Sequence, residues 1–213
     1  MSNIVNALVE EYIRNTLPEH NGLLKQMEDY ASDYHVPIVQ PEVGKLLEVI
    51  TKISGAKSVL EVGTAIGYSA LLFCKAMENG KLTSIERRND MIEIATNNID
   101  KAGLKEQIQI LEGNAEEIIP TLKEEFDIIF LDAAKGQYME FLSSSINLLK
   151  DGGILISDNV LYKGMVASNE YVVRRKKTIV KRMRTYLDYI MHHPDLTTCI
   201  LPVGDGVAIS YKN

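Results

Sequence analysis

A chain of 213 residues with 46% hydrophobic and 24% charged residues is long enough to bury one core without disulfide support, and is too apolar to read as disordered. No apolar run approaches the roughly 18 to 20 residues that span a bilayer, and Glu10 and Glu11 interrupt any signal-like start, so no membrane segment or leader is expected. Cys74 and Cys199 stand alone without CxxC spacing, which argues against a disulfide framework or a zinc site and for a reducing, cytoplasmic location.

Residues 1–35 read as helical, with Ile4, Leu8 and Tyr12 and then Leu23, Leu24, Met27 and Tyr30 at helical spacing. Pro37 and Pro41 punctuate an extended stretch, and Pro41 opens a helix over about 42–54. Short apolar strands at 57–62, 81–86, 108–111, 126–131 and 153–157 then alternate with helix-length segments, which implies parallel pairing with helices on both faces. A long helix near 168–191 precedes strands at 196–201 and 206–211, joined by a tight turn at Gly204–Gly206 as an antiparallel hairpin at the sheet edge. The expected fold is a single α/β domain over 1–213: N-terminal helices (1–54) followed by a Rossmann-like, mostly parallel, doubly wound seven-stranded sheet (55–213).

The chemistry gathers at strand ends. The first strand runs into Glu61-Val62-Gly63-Thr64-Ala65-Ile66-Gly67-Tyr68-Ser69, where glycines let backbone approach a ligand and a helix N-terminus offers free N–H groups. The spacing GxxxG is not the dinucleotide fingerprint GxGxxG. Glu61 suits a ligand with an ammonium group, Glu86 ends the second strand where a carboxylate can hold ribose hydroxyls, and Asn114-Ala115 follow the third where adenine can lie. A glycine turn used only for packing is the competing explanation, and the two strand-end glutamates weigh against it.

Asp132 closes the fourth strand and Asp158-Asn159 the fifth. Neighbouring strands lie about 4.8 Å apart, so these groups can converge at the carboxyl edge. Two carboxylates and an amide are hard oxygen donors suited to Mg²⁺ or a similar ion. Helix capping would also explain each Asp singly, but not an Asp-Asn pair beside a second Asp. Lys135, three residues after Asp132, can reach the same place and act as a general base on a metal-bound hydroxyl; by itself it would be a solvated surface lysine.

The segments VPIVQPEVGKLL, VLEVGTAIGYSALL, FLDAAKGQY, LISDNVL and LPVGDGVAIS resemble the cation-dependent O-methyltransferase family that includes catechol and caffeoyl-CoA O-methyltransferases. Within it the chain most resembles bacterial tRNA 5-hydroxyuridine methyltransferases, which act on the wobble uridine. The resemblance implies S-adenosylmethionine contacts at Val39, Glu61, Gly63, Tyr68, Ser69, Glu86, Ala115 and Asp132, metal ligands at Asp132, Asp158 and Asn159, and a catalytic base at Lys135. It also implies a homodimer.

Residues 170–184 carry seven cations against Glu170 alone, a local +6 in a chain of net charge −6, so the remainder carries −12. Projected as a helix, Arg174, Lys177, Lys181 and Arg184 share one face with Arg175 and Arg182 beside them. Ile179, Val180, Met183, Tyr186, Leu187 and Ile190 form the opposing apolar arc, and Lys176 must snorkel or precede the packed part. A soluble face usually mixes signs, so a phosphate backbone such as the tRNA anticodon loop is the expected partner. A small catechol or a CoA thioester is the alternative substrate. A non-catalytic nucleotide- or RNA-binding module is a third reading, which would leave Asp158 and Lys135 without purpose.

Overall fold

The computed structural model describes residues 4–213. The N-terminal part divides into α1 (Ala7–Thr16), α2 (Gly22–Tyr34) and α3 (Pro41–Ser54). The continuous helical reading of 1–35 is thus corrected, and its first three residues lie outside the described ones. The break at 17–21 falls at Pro18, whose ring lacks an N–H and holds Leu17 extended. Pro41 occupies the first turn of α3 and Gly55 closes it in the left-handed conformation, the expected stop and start residues of a helix.

Beyond α3 the alternation holds: β1 (Ser58–Val62), α4 (Tyr68–Ala76), β2 (Lys81–Glu86), α5 (Asn89–Ala102), β3 (Ile108–Glu112), α6 (Ala115–Ile118), β4 (Phe126–Leu131), α7 (Tyr138–Ser145), β5 (Leu149–Ser157), α8 (Lys177–His192), β6 (Leu196–Leu201) and β7 (Val207–Lys212). These strands make one seven-stranded sheet in the order β3-β2-β1-β4-β5-β7-β6. The first five pair in parallel, and β7 is antiparallel to both β5 and β6. This is the expected mostly parallel, doubly wound α/β architecture with a C-terminal antiparallel hairpin. Strand order reverses between β1 and β4, where open α/β sheets bind ligands at their carboxyl edge.

Two apolar layers cover the sheet. Leu47, Leu71, Phe73, Ile128 and Phe130 pack on one side with the N-terminal helices; Leu60, Ile129, Phe141, Met183 and Ile190 pack on the other with α7 and α8. Burial on both faces explains why β4 reads FDIIFL instead of alternating.

The basic segment departs from expectation. Residues 169–176 form two short 3-10 turns, Asn169–Tyr171 and Arg174–Lys176, and the α-helix begins only at Lys177. Val172 and Val173 between the turns are extended, as β-branched neighbours prefer, and four successive cations would oppose the positive end of a helix dipole. Arg174 and Arg175 therefore precede the helix and do not share its face. Lys176 also precedes the packed part and lies over the Tyr162 ring at 5.8 Å.

Candidate active site

One cleft of about 510 Å³ runs along the carboxyl ends of β2, β1, β4 and β5. Val39, Gly63, Tyr68, Ser69, Glu86, Ala115, Asp132, Lys135, Asp158 and Asn159 all line it. The residues expected from 120 positions of sequence converge because every parallel strand delivers its last residue to the same edge.

The β1–α4 turn builds the first half. Gly63 has φ 106° and a Cβ there would lie 2.5 Å from the carbonyl oxygen of Asp132, so only glycine permits this approach of the β1 and β4 ends. Glu86 is fixed by backbone: Ala65 N–H donates to one oxygen at 3.0 Å, and Arg87 and Arg88 N–H donate to the other at 2.9 and 3.0 Å. Its carboxylate retains lone pairs toward the cleft, where vicinal hydroxyls can donate. Tyr68 opens α4 and its hydroxyl donates to Glu28 on α2 at 2.5 Å, which draws the N-terminal helices against the cleft.

Glu61 differs from its expected position. Its side chain is wholly buried and is not part of the lining. Ser69 Oγ and Ser84 Oγ donate to its two oxygens at 2.5 Å each, and Thr64 Oγ1 lies 2.5 Å from Ser84 Oγ. Glu61 thus reaches the cleft through Ser69, which lines it, while its own carboxylate lies behind the lining. Burial pushes its carboxyl up to about 7, against the two serine hydrogen bonds that lower it.

The second half is acidic. Lys135 Nζ lies 3.0 Å from Asp132 Oδ1, on a short 3-10 turn, Lys135–Gln137, that follows β4. Asp158 is only 2% exposed, and burial together with the nearby Asp132 carboxylate pushes its carboxyl up to about 8. Asp132 is raised by burial, while the Lys135 ammonium pulls it down. Asn159 takes the left-handed conformation (φ 56°) that Asn tolerates better than most residues, and its N–H donates to Asp158 Oδ1 at 2.6 Å. Among the described residues no three Asp, Glu, His or Cys side chains group as a metal centre. The available set is two carboxylates and an amide. Those are hard donors, and two neighbouring acids with one lysine paired to Asp132 form an electrostatic setting that a divalent cation suits.

The basic segment divides. Arg182 donates to the carbonyl of Gly136 at 3.1 Å. Arg184 donates to the carbonyls of Val166 and Met165 and to Asn169 Oδ1, at 2.9, 3.2 and 2.8 Å. These two guanidiniums hold loops of the protein itself, which the helical projection did not anticipate. Arg174, Arg175, Lys177 and Lys181 are exposed. Lys177, Lys181 and Arg184 border a second groove with Asn169, Val172 and Val180, and no acid is among its lining residues. The sequence reading also passed over Tyr138, although it ends the FLDAAKGQY segment three residues after Lys135. Its hydroxyl meets the carbonyls of Leu131 and Asp158 at 3.0 and 2.9 Å.

A sheet with this strand order and a cleft of this composition define a methyltransferase fold. The O-methyltransferase family model matches residues 15–213, and the chain belongs to that family. It is 35% identical over 173 residues to a catechol O-methyltransferase of Niastella koreensis, covering 78% of each chain. A Populus trichocarpa caffeoyl-CoA O-methyltransferase is 28% identical, with 93% of this chain and 86% of that one covered. Among solved structures, a Staphylococcus aureus protein provisionally named a caffeoyl-CoA O-methyltransferase superposes with TM-score 0.91 at 34% identity, covering 97% of this chain and all of the other. A Bacillus cereus O-methyltransferase in complex with SAH superposes with TM-score 0.85 at 25% identity, each chain covered to 97%. No helix is long and apolar enough to cross a membrane among the described residues.

Proposed function

We propose that the protein transfers a methyl group from S-adenosylmethionine to one of two adjacent oxygens on a catechol-like or enol-like acceptor, with a divalent ion at Asp132, Asp158 and Asn159. The observation that carries this is the single cleft in which the Lys135–Asp132 pair and Asp158-Asn159 adjoin Ser69, Glu86 and Ala115. The catechol and caffeoyl-CoA relatives and the SAH-bound neighbour support it.

S-adenosylmethionine supplies an electrophilic methyl group; its C–S bond breaks as the new O–C bond forms. A bound dication supplies Lewis acidity that lowers the pKa of the acceptor hydroxyl. Lys135, as the neutral amine, accepts the hydroxyl proton and becomes the ammonium that pairs with Asp132. Glu86, held by three backbone N–H groups, orients the ribose, while Val39, Gly63, Tyr68, Ser69 and Ala115 enclose the remainder of the cofactor. These residues align donor and acceptor and exclude water, which is where most of the rate of such a transfer originates.

A finer reading is favoured by one feature: the exposed, single-sign cations Arg174, Arg175, Lys177 and Lys181 beside the groove bordered by Arg184. With these contacting phosphates, the acceptor becomes 5-hydroxyuridine at the tRNA wobble position, whose 5-hydroxyl and 4-carbonyl oxygens are adjacent as in a catechol. A loop nucleotide can enter the cleft without opening a duplex. Arg182 and Arg184, already bonded to protein carbonyls, contribute less to RNA. Membership of the family also supports a homodimer.

Labelled methyl transfer to a catechol panel, to caffeoyl-CoA and to 5-hydroxyuridine-containing tRNA, each with Mg²⁺ or chelator, tests these readings together. Transfer to tRNA alone selects the finer reading; transfer to the small acceptors alone selects the catechol or CoA-thioester reading. Full turnover by metal-stripped enzyme in chelator overturns the metal assignment.

A further inference from the structure

Tyr138 has no role in the chemistry above, yet it occupies the junction between the two acidic strand ends. It begins α7 one turn after Lys135 and is 1% exposed. Its hydroxyl lies 3.0 Å from the carbonyl oxygen of Leu131, the residue before Asp132, and 2.9 Å from the carbonyl oxygen of Asp158 itself. A phenol has one proton, so the two carbonyls share it. The N–H of Asp158 also donates to the Leu131 carbonyl at 3.0 Å, which closes the arrangement. Tyr186 of α8 braces the ring edge-on at 5.4 Å between centroids, and its own hydroxyl meets Ser157 Oγ at 2.5 Å.

The register explains why a tie is needed here. The β4–β5 pairing ends at Leu131 opposite Ser157. Asp132 and Asp158 each lie one residue past that pair, where the chains depart into different connections. We propose that Tyr138 is a positioning residue that sets the spacing of Asp132 and Asp158 for a divalent ion, by joining the ends of β4 and β5 through their carbonyls. Tyr138 directly follows the turn that carries Lys135, so the same anchor holds the end of that turn against both strand ends. Groups that hold ligands in this way are typically worth roughly 10- to 100-fold in metal affinity or activity. The inference rests on the metal reading above.

Tyr138→Phe and Tyr186→Phe each delete one buried hydroxyl from neighbouring rings, and only the first touches the backbone of the proposed ligand strands. Mn²⁺ affinity is measured by titration calorimetry on the full chain with S-adenosylhomocysteine present, which also holds a weakened variant folded by mass action. Tyr138→Phe is expected to weaken Mn²⁺ binding by about 10-fold or more while S-adenosylhomocysteine affinity stays within about twofold. Tyr186→Phe is expected to bind Mn²⁺ as the wild type does, even though both variants melt earlier. Wild-type Mn²⁺ affinity in Tyr138→Phe, or equal losses in both variants, would overturn the inference while leaving the metal reading intact. A wild type that binds no divalent ion and turns over fully in chelator would overturn the metal reading and this inference with it.

Discussion

The two halves of the cleft compensate their acids in different ways. At the ends of β1 and β2, Glu61 is satisfied by two serine hydroxyls and Glu86 by three backbone N–H groups, so each carboxyl has neutral donors supplied by the fold. At the ends of β4 and β5, burial raises both Asp132 and Asp158, the Asp132 carboxylate raises Asp158 further, and the Lys135 ammonium pulls both down. The first half is built for a ligand that is recognised by shape and hydrogen bonds. On the proposed reading the second holds the ion and takes the acceptor's proton. The lesson is that burial alone does not mark a reactive acid: burial is the largest cause of the raised carboxyl at both Glu61 and Asp158, but Glu61 is closed off by two serine hydroxyls, whereas Asp158 lines the cleft.

The comparison breaks most sharply at Lys135. Lys135→Ala should slow single-turnover methyl transfer by about 10² to 10⁴, the range for a general base, with cofactor affinity unchanged; the deficit should shrink at high pH, where the acceptor ionises unaided. A rate equal to wild type near neutral pH would make Lys135 a surface ion pair. Asp158→Ala should remove about 10²- to 10³-fold of activity, a few kcal/mol of charge stabilisation, and leave S-adenosylhomocysteine binding by calorimetry nearly intact. If that variant lost cofactor affinity instead, the division between the halves would be wrong.

Glu61 sharpens the other side. Its carboxyl is about 7 in the folded chain against an ordinary value of 4.5, so the folded state holds a proton that the unfolded state has released. Its contribution to stability is fully present below about pH 4.5 and is lost as pH rises toward 7. The loss is on the order of 3 kcal/mol at about 1.4 kcal/mol per pH unit. Denaturant midpoints of wild type and Glu61→Gln should therefore converge at low pH in their pH dependence, with the mutant lacking the decline between pH 5 and 7. Identical slopes would mean that Glu61 ionises as an ordinary carboxylate.

The smallest effect concerns the exposed cations. Replacing Arg174, Lys177 and Lys181 by Ala should flatten the dependence of log tRNA affinity on log salt by up to about 3 units and leave cofactor affinity alone. Equal slopes would make the segment a solvated face and favour the small-molecule acceptors.

Strand positions, the proline that opens α3, the turn glycines and the run of acidic or amide residues at strand ends were legible in the sequence, because each depends on local periodicity or on one residue's backbone preference. Gly63, Glu86, Asp132, Lys135, Asp158 and Asn159 fall where that reading expected them: a parallel sheet brings all its carboxyl ends to one edge whatever packs around it. The direction of each side chain depended instead on neighbours far along the chain. Glu61 turns inward because Ser84, on the adjacent strand, completes its hydrogen bonds. Arg182 and Arg184 turn toward loops because Gly136, Met165 and Val166 offer carbonyls within reach. Tyr138 becomes a tie because the ends of β4 and β5, with Asp132 and Asp158 26 positions apart in sequence, present two carbonyls to one hydroxyl. Composition and spacing determined the elements and the chemistry available at their ends. Which polar groups meet was decided only in the folded chain, since a buried donor takes whichever acceptor the packing brings to about 3 Å.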